Sequence, residues 1–299
     1  MAPVQEGVAL RPLGVGDIVD RVFAIYRSRP LLFLAVSAIP YLLLVLLVGA
    51  LALGFSDAFR TLAPLLGGDV EPTLARIAPA IGTLIGFGLL VAAAALVTSL
   101  IQSAALVDAA ASRYLGRDAS VGSALRVGLA AAGRLFVMGA LAFLAICALW
   151  ILLAVLMAVV NQWWIFLAGT LGGLVATFYL AASWMVSPAV ATLEGLGPVA
   201  SLRRSWWLAA GHRWRILGIM ILLFILQAVL SGLISLLLVA SIAAEGGVQL
   251  ALQQGTNLLT TIAWAPVYWG TFAVLYYDLR VRKEAFDLEL AAAALPRAL

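Results

Sequence analysis

A chain of 299 residues with 65% hydrophobic residues, 11% charged residues and a mean hydropathy of +1.12 is too poor in charge for a soluble globular protein, which carries about a quarter charged residues. It is equally unlike a disordered chain, which is apolar-poor and charge-rich. One cysteine (Cys147) and one histidine (His212) exclude a disulfide framework and the usual Cys/His zinc site, so no cofactor is expected and an integral membrane protein remains.

The N-terminal segment, 1–30, carries Glu6, Asp17, Asp20, Arg11, Arg21, Arg27 and Arg29. That is too charged for a signal peptide, and the apolar run behind it is too long for one. On a helical wheel, 17–28 divides into a charged face (Asp17, Asp20, Arg21, Arg27) and an apolar face (Ile18, Val19, Val22, Phe23, Ile25, Tyr26). The pattern predicts a short amphipathic helix lying in the membrane interface with its arginines toward headgroups.

Charge-free runs then locate the spans: 31–56, 77–107, 135–193, 216–244 and 246–277. A helix crosses the hydrocarbon in about 20 residues, so the 59-residue run 135–193 holds two spans, with Asn161, Gln162, Trp163 and Trp164 as the turn. Lipid admits only helices or closed barrels, and these runs are too long for barrel strands. The expected fold is an all-α polytopic membrane protein of six transmembrane helices forming one membrane domain over 1–299, with the bundle at 31–279 and a tail at 280–299. Two further amphipathic segments are predicted. One is 198–211, with a Val199/Leu202/Trp206 stripe; the other, weaker, is 120–133, where Gly122 and Gly128 lower helix propensity.

Four basic residues fall in each of 1–30, 108–134, 194–215 and 278–299, leaving only Arg60 and Arg76 for the other side. The positive-inside rule therefore predicts that both termini are cytoplasmic. One lysine among 18 basic residues points to an arginine-rich bacterial composition and hence a bacterial inner membrane. Each amphipathic segment precedes two spans, and each pair of spans ends near an acid: Asp108, Glu194 or Asp278. This pattern admits a three-fold hairpin repeat over 14–114, 118–194 and 196–290, as internal repeats are common in membrane proteins. Stacked hairpins of any even-span protein would give a similar outline.

Asp108, Glu194 and Asp278 end apolar runs, and ionisable groups at membrane depth are costly. With Arg21, Arg126, Arg203, Arg204 and Arg280 they form either an ion-paired collar locking interfacial helices to the bundle or a basic-acidic site for an anionic phospholipid headgroup or other polar ligand. Polar stripes (Thr98, Ser99, Gln102 and Ser103; Gln227, Ser231 and Ser235; Asn257, Thr260 and Thr261) fit hydrogen bonding between helices. They also leave a transport path open. Pro40, Pro188 and Pro266 are expected to kink their spans. Gly82-x-x-x-Gly86 and Gly169-x-x-x-Gly173 permit close helix approach. No P-loop, His-Glu-x-x-His or Gly-x-Ser-x-Gly motif is present. His212 and Cys147 have no triad or metal context.

The stretch 11–27 (RPLGVGDIVDRVFAIYR) resembles the N-terminal signature of the glycerophosphoryl diester phosphodiesterase membrane-domain family. The stretch 276–289 (YYDLRVRKEAFDLE) is similar to its C-terminal end, and 183–190 with 203–206 also fit. The resemblance spans nearly the whole chain. It implies a membrane domain only. In relatives that carry the phosphodiesterase, catalysis belongs to a separate domain resembling a TIM barrel, with histidines and metal-binding carboxylates. Here His212-Arg213 is followed by Trp214, where the catalytic His-Arg-Gly motif has glycine. The expected function is a non-catalytic membrane module binding lipid headgroups, or membrane or cytoplasmic partner proteins, through its arginine-rich face, with no nucleic acid involved. A lipid or small-solute transporter or flippase is the alternative, and an intramembrane hydrolase the weaker one.

Overall fold

The computed structural model describes residues 12–57, 60, 74–160, 162–239 and 247–289. Arg11, Asn161, Arg297 and the segments around them lie outside the described residues, as do 240–246 and the side chain of Arg76. Nine helices are described here: α1 (Val15–Ser28), α2 (Pro30–Gly54), α3 (Leu74–Tyr114), α4 (Val121–Val160), α5 (Trp163–Trp184), α6 (Ser187–Leu193), α7 (Pro198–Ala209), α8 (Arg213–Val239) and α9 (Gly247–Glu284). There is no strand among the described residues. Six spans are long and apolar enough to cross a membrane: α2, α3, α4, α5 continuing into α6, α8 and α9. The chain is therefore an all-α polytopic membrane protein.

At about 1.5 Å per residue, α3 (41 residues) and α4 (40 residues) are each about 60 Å long. The hydrocarbon core is only about 30 Å thick, so both extend well beyond it. Asp108 and Asp278 accordingly lie inside continuous helices, although the apolar runs stop there; only Glu194 caps a helix end, that of α6. The separate amphipathic helix expected at 120–133 does not form, because these residues are the first turns of α4. Gly128 explains why the low propensity is tolerated. A Cβ there would sit 2.4 Å from the Ile101 carbonyl oxygen and 3.2 Å from Ala105 Cβ, so the glycine lets α4 close on α3.

The other two amphipathic segments form separate helices. In α1 the charged face (Asp17, Asp20, Arg21, Arg27) is exposed, while Ile18 and Val22 of the apolar face are completely or nearly buried where the helix packs against α9, α3, α2 and α8. In α7 the buried face is Ser201, Ser205, Leu208 and Ala209, while Val199 and Trp206 of the expected stripe are exposed. Small residues let this short helix approach the bundle, and a bulky stripe would hold it off.

Proline acts differently at its three positions. Pro40 and Pro266 are carried inside continuous helices. Pro188, lacking a backbone N–H, instead starts α6 after a break at Met185 and Val186. Of the two glycine pairs, Gly169 and Gly173 meet Met157, Leu153 and Trp150 of α4, whereas Gly82 and Gly86 face open space. Among the polar stripes, Gln102 joins two helices, donating to Ser37 Oγ (2.8 Å) and O (3.1 Å) of α2. Thr260 and Thr261 bond within α9, and Gln227, Ser231 and Ser235 make no side-chain bond to the described residues.

The core sits at one end. Phe33, Val36, Leu106, Leu208, Ile216 and Leu275 are all buried near the arginine-rich end, while Leu46, Ile85, Leu89, Leu152, Phe224 and Leu236 toward the other are exposed. α9 is the hub of that core, packing against α1, α2, α3, α6, α7 and α8.

Candidate functional site

Two ion clusters close the arginine-rich end. The first centres on Asp278 of α9, whose side chain is fully buried. Its carboxylate pairs with Arg215 of α8 and with Arg282 one turn along α9 (3.0 Å). It also accepts the backbone N–H of Leu13 at 2.7 Å. Arg215 and Arg282 both donate to the carbonyl oxygen of the same Leu13, the latter at 2.8 Å. One residue ahead of α1 thus has its N–H and its C=O taken by side chains of the last two spans. Burying a carboxylate is costly unless it is paired and hydrogen-bonded, and here both conditions are met.

The second cluster is built on Glu194. Its two oxygens accept Arg204 Nε at 3.1 and 3.2 Å, and one also accepts the Tyr276 hydroxyl at 2.7 Å. Arg204 pairs in turn with Glu284, which accepts Arg280 Nε at 2.8 Å. Arg280 lies over the Phe286 ring, 4.0 Å from its centroid. Burial acts to lower the pKa of Arg204, but the bonds it donates to Glu284 and Glu194 outweigh this and hold it above its ordinary value, so it stays charged.

Glu194, Asp278, Arg204 and Arg280 of the expected collar are therefore brought into these clusters. Asp108 is not: no cation lies within ion-pair distance of it among the described residues. Arg21 stacks on Tyr114 (5.8 Å to the centroid), and Arg126 and Arg203 are exposed without an acid partner among the described residues. Arg215, Arg282, Glu284 and Tyr276 were not singled out in the sequence. The i, i+4 pairs Asp278/Arg282 and Arg280/Glu284 were the available signal for two of them.

Arg134 and Arg213 hold the neighbouring loops. Arg134 donates to the Gly195 carbonyl at 2.8 Å, fixing the turn after α6, where Gly195 adopts φ +69°. Arg213 Nε donates to Ser183 Oγ at 2.7 Å. Its guanidinium carbon stands 4.5 Å from the Tyr179 centroid and 4.8 Å from that of Trp206. Ser205 Oγ donates to the Ser183 carbonyl at 2.8 Å, tying α7 to the end of α5 behind this cage. His212, just before Arg213, is pushed below its ordinary pKa of 6.5, first by burial and then by Arg282, Arg215 and Lys283, with Asp278 opposing. Among the described residues no group of three His, Cys, Asp or Glu side chains is placed to hold a metal.

The fold and its charged end define a polytopic helical membrane protein in which one ion cluster clamps the last span to the N-terminal segment and a second ties it to α6 and α7. A family model described as a domain of unknown function (DUF7847) matches residues 13–279, and the chain belongs to that family. No curated protein and no solved structure matches it.

Proposed function

We propose that this chain is a non-catalytic membrane module that binds anionic phospholipid headgroups at its arginine-rich end, with that end and both termini facing the cytoplasm of a bacterial inner membrane. The observation carrying this reading is a division of labour among the basic residues. Arg113, Arg204, Arg215, Arg280 and Arg282 have acid partners. Arg21, Arg27, Arg29, Arg117, Arg126 and Arg203 are exposed, with no carboxylate at ion-pair distance among the described residues. Basic side chains beside a membrane attract anionic lipid by about 1 kcal/mol each. The resemblance of 11–27 and 276–289 to glycerophosphoryl diester phosphodiesterase membrane domains implies a membrane domain only and brings no hydrolase with it.

The test is native mass spectrometry of the full chain released from nanodiscs of equal phosphatidylglycerol and phosphatidylcholine. Preferential retention of phosphatidylglycerol is the expected result, and equal retention of both refutes the reading. Flux of lipid or solute in liposomes holding only this protein would replace it with a transporter.

A further inference from the structure

Arg213 is the best-organised cation at this end that has no acid partner among the described residues. Its Nε is committed to Ser183 Oγ, and rings from two helices, Tyr179 of α5 and Trp206 of α7, stand against its guanidinium. Those rings meet edge to face at 5.7 Å. The cage is itself braced, because Ser183 is completely buried and bonded at both its hydroxyl and its carbonyl. The side chain is therefore held in one orientation before any ligand arrives. A guanidinium has five N–H donors, and only the Nε donor is used here. The Nη1 and Nη2 groups have no acceptor among the described residues, yet they are not sealed in the interior, unlike the buried, unpartnered Nε atoms of Arg113 and Arg134. Tyr179 is 45% exposed, Trp206 38% and the adjacent Trp214 86%, so the cage opens on the surface that lipid covers.

A fixed guanidinium fork with open Nη groups matches two oxygens of one phosphate group. Aromatic side chains of this kind sit at headgroup level in membrane proteins. We propose that Arg213, held by Ser183, Tyr179 and Trp206, is a specific site for a single phosphate group. The proposal rests on the headgroup reading above and adds a site to it. A lipid phosphodiester and a free phosphate share the chemistry, and the test separates them.

The full chain, purified in mild detergent, is titrated with phosphatidylglycerol or with diacylglycerol, which lacks the phosphate, and bound species are counted by native mass spectrometry. One phosphatidylglycerol is expected to bind at least tenfold more tightly than diacylglycerol. Arg213→Gln should weaken that lipid about tenfold. Arg213→Lys, which keeps the charge but loses the fork and the bond to Ser183, should weaken it at least threefold. Arg60→Gln, at the far end and exposed, should change nothing. Displacement of the lipid by millimolar inorganic phosphate assigns the site to free phosphate; resistance to it assigns the site to lipid. Unchanged lipid affinity in either Arg213 variant overturns the proposal, as does equal binding of diacylglycerol. If the wild-type chain prefers phosphatidylglycerol in nanodiscs but the Arg213 variants bind it normally, the assignment to Arg213 falls and the headgroup reading survives. If the wild-type chain shows no such preference, both fall.

Discussion

Around Asp278 the carboxylate is answered within the chain: two guanidiniums pair with it, and both polar groups of Leu13 are bonded to the same cluster. Around Arg213 the chain supplies rings and a hydroxyl but no acid, and four N–H bonds are left over. The two regions lie at the same end of one bundle and begin at neighbouring positions on α8. A salt bridge with its remaining lone pairs satisfied is a fastener, whereas a cation fixed by aromatic rings and one neutral hydroxyl keeps its charge available. Counting arginines does not separate these roles; the partners do.

The difference can be broken most severely at the fastener. Asp278→Ala leaves Arg215 and Arg282 uncompensated and Leu13 N–H without an acceptor, and should cost about 3–5 kcal/mol, read from unfolding in detergent. A loss below about 1 kcal/mol would mean that water already reaches the cluster and that the distinction is false. Tyr276→Phe removes one hydrogen bond to the Glu194 carboxylate and should cost about 1.5–3 kcal/mol. In an Arg204→Gln background this cost should change, because both residues share one carboxylate, and strict additivity would break the cluster into independent pairs. Arg213→Gln should cost about 1–2 kcal/mol, from its contacts with the rings and its bond to Ser183 Oγ; a loss as large as that of Asp278→Ala would make Arg213 a second fastener.

The smallest effect is also the most diagnostic of position. His212 is the chain's single histidine and gives one imidazole signal by NMR. It should titrate below 6.5, with burial and the positive Arg282, Arg215 and Lys283 as the causes. The folded state then holds the proton less tightly than the unfolded one. The corresponding stability is complete above the ordinary pKa and is lost as pH falls toward the folded value. Asp278→Asn should lower this titration further by removing the opposing acid, and Arg282→Gln should raise it. A signal that ignores both substitutions would separate His212 from the Asp278 cluster.

The six spans were legible because exclusion of charge from hydrocarbon acts on runs of 20 or more residues and needs no partner information. The collar was legible only where partners are close in sequence or end an apolar run, as with Asp278 and Glu194. Arg215 meets Asp278 across 63 residues and Arg213 meets Ser183 across 30, so each contact depends on how helices rotate about their axes. The same rotation decides which face of α7 meets the bundle: Ser201, Ser205, Leu208 and Ala209 are buried, while Val199 and Trp206 are exposed. Asp108 shows the converse: it matches Asp278 in sequence context, yet no cation lies at ion-pair distance from it among the described residues.

The hydrogen bond from Leu13 to Asp278 joins positions 265 residues apart. During synthesis Leu13 and Arg215 both leave the ribosome before their common acceptor exists, so the bundle cannot be fastened until the sixth span has been made and inserted. A chain interrupted before Asp278 would carry Arg215 without its carboxylate and Leu13 N–H without its acceptor. The contact between Leu13 and Asp278 therefore forms only in a chain whose synthesis has passed Asp278.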